Sequence, residues 1–435
     1  MKALNLFGGP GGTCLGFRAL GIEALGIEID DAACATRAAA GLPTVQGDVS
    51  LLDPLHYAPV DVCAASPPCP TFSSAGKGDG IADLSLVYQL ANSISLDRSI
   101  DVHAAMPDGL WRDTRSRLVI EPLRWALLLE PRFLMWEQVP TVLGFWEHCA
   151  EILRLWGWSV WCGKVEAERF GVPQTRERAI LMADREGPIH PPRPTHQRYV
   201  KGEPQRHEVT LEGEVLPWVS MVEALGWGPR DELERQRGKG MVERYGERPT
   251  RTAEEPAFTV RAGTGGIGTG MNRLRGEDPG GLAKCRDRWF RHRANKTEWV
   301  MEKTEDRPER KAQGAGNRPR SSAEPAATIT SRSDLSKWVG PRDWGGDGPQ
   351  PDEGEQSAHA IRVTLEEALI LQSFPPDYPV QGTKRQRFLQ IGNAVPPLLA
   401  KAILSALLPA DLQHLEQERS VALDAQPATP KGSTR

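Results

Sequence analysis

The sequence predicts an α/β protein built on a parallel sheet, and three observations lead there. The first 185 residues alternate short apolar runs with stretches of helical spacing. Gly and Pro mark the junctions, and acidic residues stand where apolar runs end. Such alternation lays strands parallel with helices on both faces, and ligands then sit at the carboxyl ends of the strands.

Taken in order, Ala3–Phe7, Ala24–Ile29, Val60–Ala65, Phe133–Trp136 and Arg178–Met182 read as buried strands, each an apolar run between turn residues. Residues 13–20, 117–129 and 141–155 carry apolar positions at helical spacing. The texture changes near 187: IHPPRPTHQ breaks the pattern, and 200–355 is polar, Gly- and Arg-rich, with few convincing elements. Order returns at 362. RVTLEEALILQSF is an amphipathic helix pattern, and LQIGNAVPPLLAKAILSAL reads as a loop followed by a helix. The expected division is therefore 1–188, a loop-rich unit at 189–358, a return to the first unit at 359–418, and a disordered tail at 419–435. Within the middle unit EEPAFTVRA (254–262) resembles AEPAATITS (323–331), either a pair of strand-forming units or a coincidence of composition.

A chain of 435 residues, 39% of them hydrophobic, has room for two or three domains. No run approaches the roughly 20 apolar residues of a bilayer span, and MKALNLFGG is too short for a secretory signal. A cytoplasmic protein with no membrane partner is expected. Seven cysteines without a CxxC pair argue against a disulfide framework or a structural zinc site, so no metal is expected. Residues 230–340 hold 24 Lys and Arg against 17 Asp and Glu, whereas the remainder holds 29 against 40. That asymmetry suits a basic segment facing a polyanion, although a mixed-charge solvated surface accounts for it equally well.

LNLFGGPGGTCLGFRALG places glycines and a proline between a strand and a helix, where the backbone can bend sharply and approach a ligand. A tight structural turn would use the same residues. Downstream, Glu28 ends the second strand, where an acid can hold ribose hydroxyls, and Asp48, in QGDVS, ends what reads as a further short strand ahead of Val60–Ala65, placed to accept from an adenine amino group. Acids at successive strand ends favour a neutral or cationic nucleoside over a phosphate, which fits S-adenosylmethionine.

SPPCPTFSS (66–74) then sets Cys69 behind Pro67 and Pro68. Many enzymes that methylate exocyclic amines carry an aromatic after such a proline pair. A thiolate is a nucleophile, which amino methylation does not need and a cytosine carbon does. Thiolate addition at C6 turns the ring into an enamine whose C5 can attack a methyl sulfonium. The addition needs a group at ring N3, and Glu137 in FLMWEQVP, directly after an apolar strand, can donate there and accept from the N4 amino group. Arg176 and Arg178 of PQTRERAIL are candidates to hold O2. Taken singly, Cys69 reads as a small buried hydrophobe and the others as surface charges; the constellation carries the inference.

In order, these stretches resemble the C5-cytosine DNA methyltransferase family. LNLFGGPGG resembles its cofactor motif, SPPCPTFSSAG its nucleophile loop, EQVP its Glu motif and GVPQTRERAIL its Gln-x-Arg-x-Arg motif. RVTLEEALILQSFP and QIGNAVPP resemble its two closing motifs. The resemblance covers roughly 1–185 and 360–408. It implies a Rossmann-like S-adenosylmethionine-dependent methyltransferase domain, with a mostly irregular or β target-recognition domain inserted before the C-terminal helices. Cys69 is implied as the covalent nucleophile, Glu137 as the N3 partner, Arg178 as the O2 contact and Arg176 as its supporting neighbour. Phe7, Gly9, Gly11, Glu28, Ile29, Asp48 and Pro68 would line the cofactor pocket, Leu118 would touch the methionine end, and Asn393 and Ala394 would close it. The terminal helix would pack back on the first strand. Implied with these are double-stranded DNA as partner, S-adenosylhomocysteine as product, a monomer, and a prokaryotic or phage setting that can include a cognate restriction endonuclease. An RNA cytosine methyltransferase and a DNA-binding regulator without catalysis are the alternatives.

Four departures stand out. Asn5 replaces the family's usual Asp, Gln138 the usual Asn after the Glu, and Pro70 the usual Gln after the nucleophile. The stretch 76–112 is longer than the usual catalytic loop, and a flexible lid over the DNA is one expectation for it.

Overall fold

Apolar runs in this chain form strands buried on both faces, and their order around one sheet decides where the candidate residues meet. The computed structural model describes residues 1–68, 72, 79–200, 203–210, 213–225, 300–303, 320–321, 326–327, 336–339 and 360–410. Strands β1 (Ala3–Leu6), β2 (Ala24–Glu28), β3 (Thr44–Gln46), β4 (Val62–Ala65), β5 (Phe133–Gln138), β6 (Ser159–Glu166) and β8 (Glu177–Asp184) form a seven-stranded sheet in the order β3-β2-β1-β4-β5-β8-β6. The first five run parallel, and β8 and β6 run antiparallel to their neighbours. The expectation of a purely parallel sheet is thus corrected at one edge. The half-exposed β6, which the apolar-run reading passed over, forms an antiparallel ladder with β8.

Alternation splits the core cleanly. Leu4, Leu6, Cys63, Ala65, Leu134, Trp136 and Leu181 pack on one face with helices α3 (Leu84–Leu96), α4 (Glu121–Leu129) and α5 (Leu143–Leu155). Ala3, Val62, Ala64, Phe133, Met135, Ile180 and Met182 pack on the other with α1 (Gly12–Arg18) and α8 (Pro397–Leu407). The terminal helix therefore returns to the first strand's face, where it packs mainly on α1 and also on β5 and β8. A Cβ on Gly16 would lie 2.7 Å from the Ala400 Cβ, so the two helices approach where glycine leaves room. Helix α2 (Asp31–Ala39) connects β2 to β3.

Two further corrections concern the helices. The segment 79–112 is not a bare flexible lid: α3 buries Val87, Leu90, Ala91 and Ile94 in the core, and buried Asp83 accepts from the Arg112 and Asp113 N–H groups where the segment closes. The stretch read as a loop at 390–394 is largely the end of α7 (Lys384–Asn393), which follows α6 (Leu365–Leu371). Thr364 with Glu367 and Thr383 with Gln386 form reciprocal capping boxes that start α6 and α7. In the middle of the chain, four short strands from 300–303, 320–321, 336–339 and 360–362 form an antiparallel sheet. Ala326–Ala327, from the second of the two similar segments, pairs with β7 (Gln174–Thr175); the first segment and the tail from 419 lie outside the described residues. No described helix is long and apolar enough to cross a membrane.

Candidate active site

The carboxyl ends of β1, β2, β4 and β5 lie side by side, because β1 pairs with β2 on one flank and with β4 on the other. The chain leaves in opposite directions there, which opens a crevice. The glycine loop enters it. Phe7 and Gly9 both hold positive φ, 57° and 50°, and Gly11 at 106° is the N-cap of α1. Open space lies where a Gly9 Cβ would point, whereas a Cβ on Gly11 would come within 2.2 Å of Leu42.

Glu28 organises this loop. Its Oε2 accepts from Gly9 N–H at 2.7 Å, and its Oε1 accepts from Ile29 and Asp30 N–H at 2.8 Å each. Gly8 N–H is taken by the Ile27 carbonyl and Gly11 N–H by the Gly8 carbonyl. These amides are therefore not available to cradle a phosphate, while a carboxylate with three donors keeps lone-pair capacity for a hydroxyl. Asp48 holds Ser50 through Oδ1 alone. Ile29 leaves 61% of its surface exposed beside Glu28. This donor set fits a nucleoside without phosphate. Leu118 is half-buried in the 3-10 segment Thr114–Ile120 that leads into α4.

The loop is braced from behind by residues that no sequence pattern marked. Fully buried Arg37 donates to the carbonyls of Gly8 and Pro43 and to Thr44 Oγ1, and the Tyr378 hydroxyl donates to the Pro10 carbonyl. Asn5 is buried on β1 with its Nδ2 donating to Cys14 Sγ, so this departure serves the packing of β1 against α1.

At the next strand ends, Glu137 on β5 is buried and paired with Arg178 on β8, Nε to Oε1 at 2.8 Å. The register sets this pair: Glu137 stands opposite Ile180, and Arg178 is its diagonal neighbour on the same face. Arg178 Nη1 donates to the Glu177 carbonyl. Arg176, two residues earlier, turns elsewhere and donates to the Gly392 carbonyl at 3.2 Å, directly before Asn393 and Ala394. Gln174 donates to the Leu371 carbonyl and the Gln372 side chain, and Gln372 donates to the Ala394 carbonyl at 2.7 Å. The Gln-x-Arg-x-Arg strand is thus bonded both to Glu137 and to the segment expected to close the pocket.

Pro67 and Pro68 continue from β4 beside Glu137; Cys69 and Pro70 lie outside the described residues. Three buried thiols elsewhere are no rivals as nucleophile. Burial pushes Cys63 and Cys162 up to about 12 and holds Cys149 well above its ordinary value, so all three stay protonated at neutral pH. Among the described residues, no three His, Cys, Asp or Glu side chains cluster as metal ligands.

Comparison with known proteins gives consistent likenesses. The model of the C-5 cytosine-specific DNA methylase family matches residues 1–95 and 110–408. The family pattern thus runs nearly to the end of α3, and only 96–109 of the long loop falls outside it. The type II methyltransferase M1.HphI of Haemophilus parahaemolyticus is 25% identical over 426 residues, spanning 93% of this chain and 86% of its own. The type II methyltransferase M.AquIA of a Picosynechococcus strain is 26% identical over 213 residues, 45% of this chain and 77% of its own. A crystal structure of a candidate DNA modification methyltransferase encoded in an E. coli prophage shares the fold, with a TM-score of 0.50 and 18% identity over 94% of this chain and 98% of that one.

Proposed function

Since the chain belongs to the C-5 cytosine-specific DNA methylase family and is a DNA (cytosine-5-)-methyltransferase, we propose that it methylates a flipped-out cytosine of a specific duplex sequence through a covalent Cys69–C6 adduct. The observation that carries this mechanism is the Glu137–Arg178 pair at the carboxyl end of β5, beside the strand end that leads through Pro67 and Pro68 to Cys69. S-adenosylmethionine, when bound, supplies an electrophilic methyl group on a sulfonium. Glu28 would hold its ribose hydroxyls and Asp48 the adenine amino group, with Ile29 beside them in the pocket. Phe7, Gly9, Gly11 and Pro68 line the pocket, Leu118 meets the methionine end, and Asn393 and Ala394 close it.

The target base leaves the stack at a cost of a few kcal/mol. The Cys69 thiolate forms a bond to C6, and the ring electrons move toward N3, which takes a proton through Glu137. Arg178 meets O2, and Arg176 holds the neighbouring backbone through Gly392. With the cofactor bound, C5 would accept the methyl group as the methyl–sulfur bond breaks to leave S-adenosylhomocysteine; loss of the C5 proton to a base would then expel the thiolate, and the N3 proton would return to Glu137. Residues 189–358 read the duplex, with arginines against guanine edges and the basic excess on phosphates; 1–188 and 359–418 supply the catalytic unit. The type II relatives support a bacterial or phage setting in the cytoplasm with a cognate endonuclease, and the chain acts as a monomer.

Labelled S-adenosylmethionine with duplex DNA or RNA, wild type beside Cys69→Ser, tests this reading. Label in DNA from the wild type alone is the expected result. Label in RNA only, or in neither, refutes it.

A further inference from the structure

Gln138 and Thr141 hold both ends of the loop that carries Cys69, and we propose that they are positioning residues that fix the nucleophile relative to Glu137. This rests on the function proposed above. Strands β4 and β5 are parallel and in register through Ala65 and Trp136, so two residues further Pro67 comes opposite Gln138. Proline has no N–H, and the backbone ladder cannot be continued by that residue as a donor. The Gln138 side chain takes over as a substitute peptide group. Its Nε2 donates to the Pro67 carbonyl at 2.9 Å and its Oε1 accepts from Val139 N–H at 2.6 Å. The amide is buried with 1% of its surface exposed, so both bonds are shielded from water.

On the far side of Cys69 the chain is held again. The Phe72 ring is buried in the core on the same sheet face as Trp136, and its carbonyl accepts from Thr141 Oγ1 at 2.8 Å. Both donors belong to the few residues that directly follow Glu137. The acid and the two loop anchors are therefore parts of one short, continuous piece of chain, which couples their positions. The chemistry requires this coupling. Addition at C6 and protonation at N3 occur on one rigid ring, so an error in placing the thiol cannot be absorbed by turning the base. A misplacement of about 1 Å can cost on the order of 100-fold in rate. The substitution of Gln for the family's usual Asn after the acid thus acquires a role, with Thr141 as its partner.

Duplex DNA containing 5-fluorocytosine traps the adduct, and the single-turnover rate of forming a denaturation-resistant complex tests the proposal. The rate is measured at saturating S-adenosylmethionine and DNA for wild type, Gln138→Leu, Gln138→Asn, Thr141→Val and Cys69→Ser. Melting temperatures and dissociation constants for S-adenosylhomocysteine and for unmodified DNA are taken on the same preparations. Trapping should slow on the order of 10- to 100-fold in Gln138→Leu and several-fold in Thr141→Val, with both dissociation constants within about twofold of wild type. Gln138→Asn, which keeps an amide, should recover most of the rate. Thr141 is exposed and its substitution spares the core, so this variant reports even where Gln138→Leu fails to fold. Wild-type trapping rates in the folded variants would overturn the proposal, as would losses that follow cofactor affinity or an Asn variant as slow as Leu. Absence of the adduct in the wild type would instead refute the covalent mechanism itself.

Discussion

Replacing Gly12 by alanine tests whether the two ends of the chain close on the cofactor loop. A Cβ at this position would lie 2.0 Å from the Val395 carbonyl oxygen and 3.2 Å from Phe374 Cζ. An ordinary carbon–oxygen approach is about 3.3 Å, so α1 and the turn after α7 must separate by about 1.3 Å. The obstacle is backbone, which has no rotamer to yield, and overpacking of this kind costs about 1–3 kcal/mol. Val395 directly follows Asn393 and Ala394, so the displacement falls on the pocket's proposed closing segment. Felt there in full, it weakens cofactor binding by about 5- to 150-fold. Gly16→Ala is the control: one helical turn further on, its Cβ would meet Ala400 Cβ at 2.7 Å and Lys401 N at 2.9 Å. That contact strains the α1–α8 packing without touching the turn. Calorimetric titration with S-adenosylhomocysteine, alongside thermal melts, should show both variants destabilised and only Gly12→Ala impaired in binding. Wild-type affinity in Gly12→Ala, or equal loss in both variants, refutes the reasoning.

Glu28→Gln keeps the shape of the side chain but must present its NH2 to an N–H group. The cheaper orientation gives up the bond from Gly9 and keeps those from Ile29 and Asp30, costing about 1–3 kcal/mol. Urea denaturation should show that loss together with weakened cofactor binding, and unchanged stability would contradict the loop's dependence on this carboxylate. Glu130 gives a pH prediction. Hydrogen bonds from Arg185 and then Arg98 hold its carboxyl below the ordinary value of 4.5. The depressed folded value means that its contribution is present above 4.5 and is lost as pH falls through the lower folded value. The group is partly exposed, so the contribution is about 1 kcal/mol or less. Glu130→Gln should lower stability at pH 6 and flatten its fall as the pH drops below 4.5, measured by denaturant unfolding; an unchanged acid slope would refute the pairing.

Much of the fold was legible because fully buried strands are written as continuous apolar runs. Five of the sheet's seven strands were placed within about two residues. β6 was not, because its half-exposed pattern resembles loop sequence. The direction of β8 was also hidden: an apolar run fixes that a strand is buried but says nothing of its neighbour or polarity. Among the candidate residues, Glu28 and Glu137 could be found because the chemistry needs a carboxylate at a strand end. Arg37 and Tyr378 could not, since an arginine or a tyrosine in isolation is an ordinary side chain, and Gln138 stood out only as a departure with no partner to explain it.

Sequence by itself determined which residues are candidates for chemistry and in what order the strands and helices follow. Residue type settles nucleophilicity, charge and hydrogen-bonding capacity, and local periodicity settles secondary structure. Only the tertiary structure decided which partner each functional group takes. Arg178 went to Glu137 while Arg176, two residues away, went to Gly392 across 216 positions of chain. Gln138 went to Pro67 across 71. Such pairings depend on strand register and on which face each side chain leaves, and those are properties of the whole sheet.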